Sequence, residues 1–207
     1  MHKALEQRPD LLGLYLVFQP DALGGRDSDF RGRNDLGSND AGRFSVYWLQ
    51  AKPGELQTVL DDEKLLADTS PGPSGAPFNA FFTCPRDNAR LCLLEPYFDD
   101  SSGSRKLVTS IAFPLLEKGK VVAVIGFDIS LNNLQQDAVA GGRELYKENG
   151  SVSIISPSGV VAGHSQDASQ LGKNLQAVRP GQATEILGFL GRSEPRTFID
   201  QGQISVL

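Results

Sequence analysis

The chain is poor in the residues that usually carry catalysis, redox chemistry or metal binding: two histidines, two cysteines, one methionine and one tryptophan among 207 residues. His2 and His164 lack finger spacing with Cys84 and Cys92, so no zinc site and no cofactor is expected. No Gly-x-Ser-x-Gly elbow occurs, and Gly24-Gly25 and Gly141-Gly142 lack the lysine, serine or following acid of a phosphate loop. His164, near Ser165 and Asp167 at a strand end, reads as a solvated loop histidine, because neighbours in one loop do not make a triad. No basic run exceeds the pair Arg105-Lys106, and the formal net charge is -5, which excludes nucleic acid and anionic membrane surfaces as partners. No apolar run reaches the ~18 residues of a bilayer span. The stretch Leu11 to Phe18 has no small-residue cleavage site, so an export address is expected outside this chain. Both ends read as cut, with a long N-terminal helix and the C-terminal end missing.

What the chain does have is a long apolar hairpin. Residues 107 to 129, LVTSIAFPLLEKGKVVAVIGFDI, read as two strands joined by the turn Glu117-Lys118-Gly119-Lys120, with Asp128 at the far end of the second strand. A ribbon this apolar belongs at the centre of a packed sheet. A carboxylate at its exit is either a cap for the next element or a charge placed for a ligand.

Upstream, His2 to Arg8 reads as a helix tail broken by Pro9-Asp10, followed by a strand over Leu14 to Phe18. Ala22 to Gly42 has the composition of a long surface loop, and a loop of that length is usually functional. Arg43 to Gln50 returns to strand content, with Phe44, Val46 and Trp48 on one face and Ser45, Tyr47 and Leu49 on the other. Pro53-Gly54 is a turn, Leu56 to Leu60 a short strand, and Asp61 to Asp68 one or two helical turns. Phe78 to Thr83 and Leu91 to Phe98 read as apolar strand stubs around a polar loop between Cys84 and Cys92, and Ser101 to Ser104 turn the chain back. A disulfide across that loop would contribute about 2 to 3 kcal/mol in an oxidising compartment; two reduced, partly buried thiols are the alternative.

Ser130 is placed to cap a helix of about four turns, with Leu131, Leu134, Ala138 and Leu145 on its buried face. This helix sets a division into residues 1–130 and 131–207. Beyond it, Val152 to Ile155 and Val160 to Ala162 form a second hairpin, Ser169 to Leu175 a short helix, and Ile204 to Leu207 a strand. Hairpin connections without βαβ alternation imply antiparallel sheets with helices to one side, an α+β architecture.

Aromatic and acidic side chains gather at strand ends: Phe44, Tyr47, Trp48, Glu95, Tyr97, Asp99 and Asp128. Aromatic faces attract cations and a carboxylate adds a charge-assisted hydrogen bond, so this set suits an ammonium ligand. Ordinary core is the competing reading for Phe44 and Trp48, a solvated turn for Asp99 and Asp100, and a helix cap for Asp128.

At these residues the chain resembles the double-Cache sensor family, the extracytoplasmic ligand-binding domains of bacterial chemoreceptors and related transmembrane sensors. The stretches that carry the likeness are FQPDALGGRDSD (18–29), GRFSVYW (42–48), LEPYFDD (94–100), VTSIAFPL (108–115), GKVVAVIGFDIS (119–130) and ISPSGVVAGHSQDASQLGKNL (155–175). The resemblance implies two PAS-like modules, a membrane-distal ligand-binding module over 1–130 and part of a membrane-proximal one over 131–207. It further implies a periplasmic location, a membrane-anchored, homodimeric receptor of the methyl-accepting chemotaxis type, and cytoplasmic signalling through regions absent here. Amino-acid-binding members grip the ligand carboxylate with an arginine, tryptophan and tyrosine run and its amine with a tyrosine and an aspartate, which Tyr97 and Asp128 match by position. The arginine is absent, for Val46 stands two residues before Trp48, and the implied ligand shifts to the polyamines, biogenic amines or quaternary amines of the amine-binding branch.

Other functions remain to be weighed. An amino-acid sensor, attached to a chemoreceptor, a histidine kinase or a cyclic-nucleotide enzyme, is the near alternative. A secreted hydrolase using Asp99 or Asp128 as a base would need a nucleophile or metal that the sequence does not supply, and a ligand-free structural module would leave no cavity among the aromatics.

Overall fold

The protein is described by a computed structural model over residues 2–8, 11–52, 54–101, 103–145, 150–190, 195, 197–200 and 203–206. The breaks expected at Pro9-Asp10 and Pro53, together with Ser102 and Leu207, lie outside these residues. The chain divides into two compact units, Met1–Asn132 and Asn133–Leu207.

The first unit is built on one antiparallel sheet. Its strands are β1 (Leu11–Phe18), β2 (Ser45–Lys52), β3 (Glu55–Leu60), β4 (Cys92–Leu93), β5 (Tyr97–Asp99), β6 (Lys106–Glu117) and β7 (Lys120–Ser130). They lie in the order β3-β2-β1-β7-β6-β4, with β5 also on β6. The apolar hairpin is therefore central, as its composition demands. Lys118 and Gly119 both take positive φ in the two-residue turn, the left-handed pair that matches the twist of a hairpin. β1 is buried along almost its whole length because both faces of the sheet are covered, which is why its sequence runs apolar without alternation.

On one face Tyr15, Val17, Tyr47, Leu49, Val108 and Ala112 pack with Leu66 of α2 (Glu63–Leu66) and with Phe81 and Phe82 of α3 (Ala80–Asn88). On the other, Leu11 and Leu14 pack with Trp48, Phe127 and Ile129 beneath Leu5 of α1 (His2–Glu6). The register is not uniform. Glu117 faces Lys120 and Leu116 faces Val121, but Leu115 faces Ala123, so a bulge at Val122 shifts the remainder of β7 by one residue.

Two sequence expectations are corrected here, and the expected disulfide is present. The residues from Ala80 through Cys84 to Asn88 are helix rather than strand and loop, because Phe81, Phe82 and Pro85 form a buried helical face on the sheet. Cys84, in the middle of α3, is disulfide-bonded to Cys92 of β4, with Cα atoms 6.2 Å apart. Leu91 to Phe98 is not one strand. Pro96 has no N–H for a ladder, and the chain leaves the sheet between β4 and β5, held by Leu94 N donating to Ser110 O (2.9 Å) and Thr109 Oγ1 donating to Leu94 O (2.6 Å). The long loop over 22–42 carries two 3-10 turns, Asp27–Phe30 and Asn34–Leu36.

In the second unit, α4 (Asn132–Glu144) begins after Ser130, whose Oγ accepts from Asn132 N at 3.3 Å. Ala138 is buried, but Leu145 lies past the helix end and is exposed, against expectation. β8 (Ser153–Ile155) and β9 (Val161–His164) form the second hairpin. The expected helix over 169–175 is instead a 3-10 turn at Ala168–Gln170, and α5 (Leu175–Val178) follows with Asn174 capping it. α6 (Ala183–Phe189) and the pair β10 (Thr197–Asp200) and β11 (Gln203–Val206) complete the unit. His164 is buried, not solvated. Gln135 clasps its backbone N–H and carbonyl at 2.8 and 3.0 Å, and its Nδ1 accepts from the backbone N–H groups of Gln166 and Asp167. Burial holds its pKa below the usual imidazole range, so it is a neutral structural histidine. Among the described residues, no helix is long and apolar enough to cross a membrane.

Candidate functional site

Asp128 sits on β7 between two strands, opposite Ser110 of β6 and Gly13 of β1, and is 5% exposed. Its Oδ1 accepts from Ser110 Oγ and, at 3.3 Å, from the hydroxyl of Tyr97, which is itself 2.7 Å from Ser110 Oγ. The carboxylate points into the sheet's covered face and takes no part in capping α4. Burial pushes its pKa up to about 6; the Ser110 hydroxyl, with those of Tyr47 and Tyr97, works against that rise and Asp99 adds to it.

Two tyrosines build the floor on either side. A methyl group placed on Gly13 would overlap the ring of Tyr47, and one placed on Gly126 would overlap the ring of Tyr15, so each ring lies across a glycine on a neighbouring strand. Only glycine leaves that space. The Tyr47 hydroxyl is buried without a well-formed hydrogen bond and lies in the field of Asp128; burial first, and Asp128 second, push its pKa far up, so it stays a neutral phenol.

Asp99 and Asp61 supply two further acids. Asp99, at the end of β5, accepts from Ser101 Oγ at 2.5 Å and from Ser101 N at 3.3 Å through Oδ1, while its buried Oδ2 has no hydrogen-bond partner. Asp61 lies in the turn from β3 to α2, 7% exposed, and differs from its neighbour Asp62, whose side chain caps α2 by accepting from Leu65 N at 2.7 Å. Asn39, buried in the long loop, fixes this turn by donating to Asp61 O and to Glu63 Oε1. Burial, reinforced by Asp128, Asp62 and Asp99, raises the Asp61 pKa to about 7.

Asp61, Asp99, Asp128 and the rings of Tyr15, Tyr47, Tyr97, Phe78 and Phe81 surround one cavity of about 40 Å³. Among the described residues, no lysine, arginine or histidine lines it. A larger, open groove of about 610 Å³ lies beside it, lined by Asp62, Asp68, Asp100, Lys64 and Arg105 among others. Leu65 and Phe78 line both spaces and so form the partition between them.

Of the residues singled out from sequence, Tyr47, Tyr97, Asp99 and Asp128 meet at this cavity. Phe44 and Trp48 do not. Trp48 alternates to the opposite face among Leu14, Phe127 and Ile129, and Phe44 packs edge-on against Phe18 with ring centroids 5.6 Å apart. Glu95 lies in the break between β4 and β5 and is not among the lining residues. Tyr15, Asp61, Ser110, Phe78 and Phe81 escaped the sequence reading. Ser110 alone had a legible signal, as a polar residue in the middle of an apolar strand.

Residues 1–136 match the methyl-accepting chemotaxis protein-like first PDC sensor domain. The chain belongs to that family. The PDC sensor domain is 50% identical over 204 residues to the methyl-accepting chemotaxis protein TlpQ of Pseudomonas aeruginosa, a match that covers 99% of this chain and 29% of TlpQ. It thus spans under a third of that relative's length. Among solved structures it is similar to methyl-accepting chemotaxis protein X (TM-score 0.69, 21% identity, covering 99% of this chain and 70% of that one). It is also similar to the periplasmic sensory domain of the Campylobacter jejuni chemoreceptor Tlp1 (TM-score 0.67, 14% identity, 95% and 65%). The curled antiparallel sheet flanked by few helices is the PAS-like fold of these domains. The PDC sensor domain is accordingly a sensor domain of the methyl-accepting chemotaxis protein type.

Proposed function

We propose that this sensor domain recognises a small organic amine in the cavity of the first unit and that its binding drives a chemotactic signal from a membrane-anchored, homodimeric receptor. The observation that carries the reading is the convergence of Asp61, Asp99 and Asp128 on one aromatic-walled space that, among the described residues, no lysine, arginine or histidine lines. Buried carboxylates left without a counter-charge are costly, and an ammonium group supplies both the charge and the N–H donors they lack. The orphan Oδ2 of Asp99 is one acceptor ready for such a donor. Tyrosine and phenylalanine rings add cation–π attraction.

An α-amino acid is the poorer fit. Its carboxylate would enter a space already lined by three acids, and Arg43 is engaged elsewhere, paired with Glu63 at 2.9 Å and placed over the ring of Phe82. Among the described residues, no three His, Cys, Asp or Glu side chains are grouped to hold a metal ion.

The empty cavity has room for about three waters, taking roughly 10 to 15 Å³ for each, less than a short diamine needs. Entry therefore requires the Leu65–Phe78 partition to give way, and that displacement is the difference between two states that a receptor can transmit. Thermal-shift and calorimetric titration with putrescine, histamine and choline test the proposal, since a ligand at 100 times its dissociation constant stabilises by about 2.7 kcal/mol. A rise in Tm that disappears in Asp128→Asn is the expected result. No shift with any amine, alongside a shift with amino acids, would overturn it.

A further inference from the structure

Three acids from three elements do not act alike. Asp128 is held by the hydroxyls of Ser110 and Tyr97, and Asp99 is tied to Ser101. Asp61 stands on the opposite side, on the turn that leads into α2, whose Leu65 is half of the partition to the outer groove. We propose that Asp61 is a specificity-determining, proton-gated acid: protonated, it leaves a site suited to a single ammonium group, and ionised, it completes a site for a dication. This deepens the amine reading and rests on it.

Among the described residues, none that faces Asp61 carries a counter-charge, so a proton neutralises it without ligand. From β7 it meets the field of Asp128, from β5 that of Asp99, and from its own turn that of Asp62. The tyrosines on β1, β2 and β5 are neutral phenols, and α3 contributes the apolar Phe81. Lys64 of α2 lines the outer groove, and Arg43 is paired with Glu63. Burial and three like charges favour the protonated form near neutral pH, in agreement with the direction of its pKa. A second ammonium brought within reach of Asp61 favours ionisation. Diamine binding must then expel a proton, whereas a monoamine that engages Asp128 and Asp99 does not require Asp61 to ionise.

Putrescine and butylamine are suitable probes, because alkyl ammonium groups stay charged over the whole range below pH ~9. Calorimetry at pH 7 in phosphate and in Tris reads the proton count directly. Putrescine is expected to release a substantial fraction of a proton per molecule bound and butylamine markedly less. The preference for putrescine over butylamine is expected to grow about tenfold between pH 6 and pH 8. In Asp61→Asn, putrescine should lose its proton release and its preference over butylamine should no longer change between pH 6 and pH 8, with the far-ultraviolet spectrum unchanged. Equal proton release by both amines, or a selectivity that ignores pH in the unsubstituted protein, would overturn the gate while leaving amine recognition standing. Failure of both amines to bind at any pH would instead remove the amine reading itself.

Discussion

The hydroxyl of Tyr15 donates to the backbone carbonyl of Phe81 at 3.0 Å. That carbonyl would ordinarily receive the N–H of the residue four positions on in α3, but the residue there is Pro85, which has none. A side chain on the central sheet thus completes a helix that a proline has opened. The same tyrosine ring forms part of the cavity wall, so the position of α3 and the shape of the site are fixed by one group.

Tyr15→Phe should therefore destabilise the protein by about 1 to 3 kcal/mol, the cost of leaving a buried carbonyl unpaired. Pro85→Ala restores the helical donor, and in its presence the cost of Tyr15→Phe should fall by more than half. Urea melts of the two single variants and the double variant give this coupling, and strict additivity would refute the account.

Without ligand, the protein should be more stable at pH 5 than at pH 8. Asp61 and Asp128 have folded pKa values of about 7 and about 6, both above the ordinary carboxylate value of 3.8. A group with a raised acid pKa binds its proton more tightly when folded, so its contribution falls as pH rises from near 4 to near 7 and levels off above that. The combined loss is on the order of a few kcal/mol. Asp61→Asn or Asp128→Asn should raise Tm at pH 8 and flatten this profile.

Ser110→Ala removes the hydroxyl that bonds to Asp128 Oδ1. The Asp128 pKa should climb further above about 6, because burial then acts with fewer opposing donors. Carbon-detected titration of the side-chain carboxyl reads the shift; a downward movement would contradict the assignment of Ser110 as a donor to the charged form.

Trp48 and Tyr47 are adjacent in β2 but serve opposite faces. Trp48→Leu should cost stability, about 1 to 3 kcal/mol from lost packing, and leave amine affinity within about twofold. Tyr47→Leu should weaken amine binding about tenfold or more, as its ring and hydroxyl face the cavity. Paired calorimetry and chemical denaturation separate the two effects, and a large affinity loss in Trp48→Leu would show that both faces take part in binding.

Much of the scaffold is legible in the sequence because hydrophobic pattern and turn chemistry are local. The Lys118-Gly119 turn, the flanking apolar strands and the helix after Ser130 follow from residues within reach of one another. The helix over Ala80–Asn88 is hidden, since Pro85 and the polar Arg86-Asp87-Asn88 argue against it and only the sheet beneath Phe81 and Phe82 rewards it. Asp61 was hidden for a related reason. In the chain it is one of two acids before a short helix, and the difference between a cap and a cavity wall is set by Asn39, 22 positions away. Phe44 and Trp48 share an aromatic character with Tyr47, but strand alternation sends them elsewhere, and composition cannot show which face carries the ligand.

The irregularity at Val122 has a consequence for how such receptors diverge. Counted back from Glu117 and Lys120, an unbroken ladder would set Asp128 against Thr109, with its carboxylate directed at the layer occupied by Phe127 and Ile129. A sequence change that drew Val122 into the ladder, without deleting it, would rotate that acid out of reach and bring a hydrocarbon group in. A receptor could be blinded to its signal, or retuned to an apolar one, with every residue that meets the ligand still encoded.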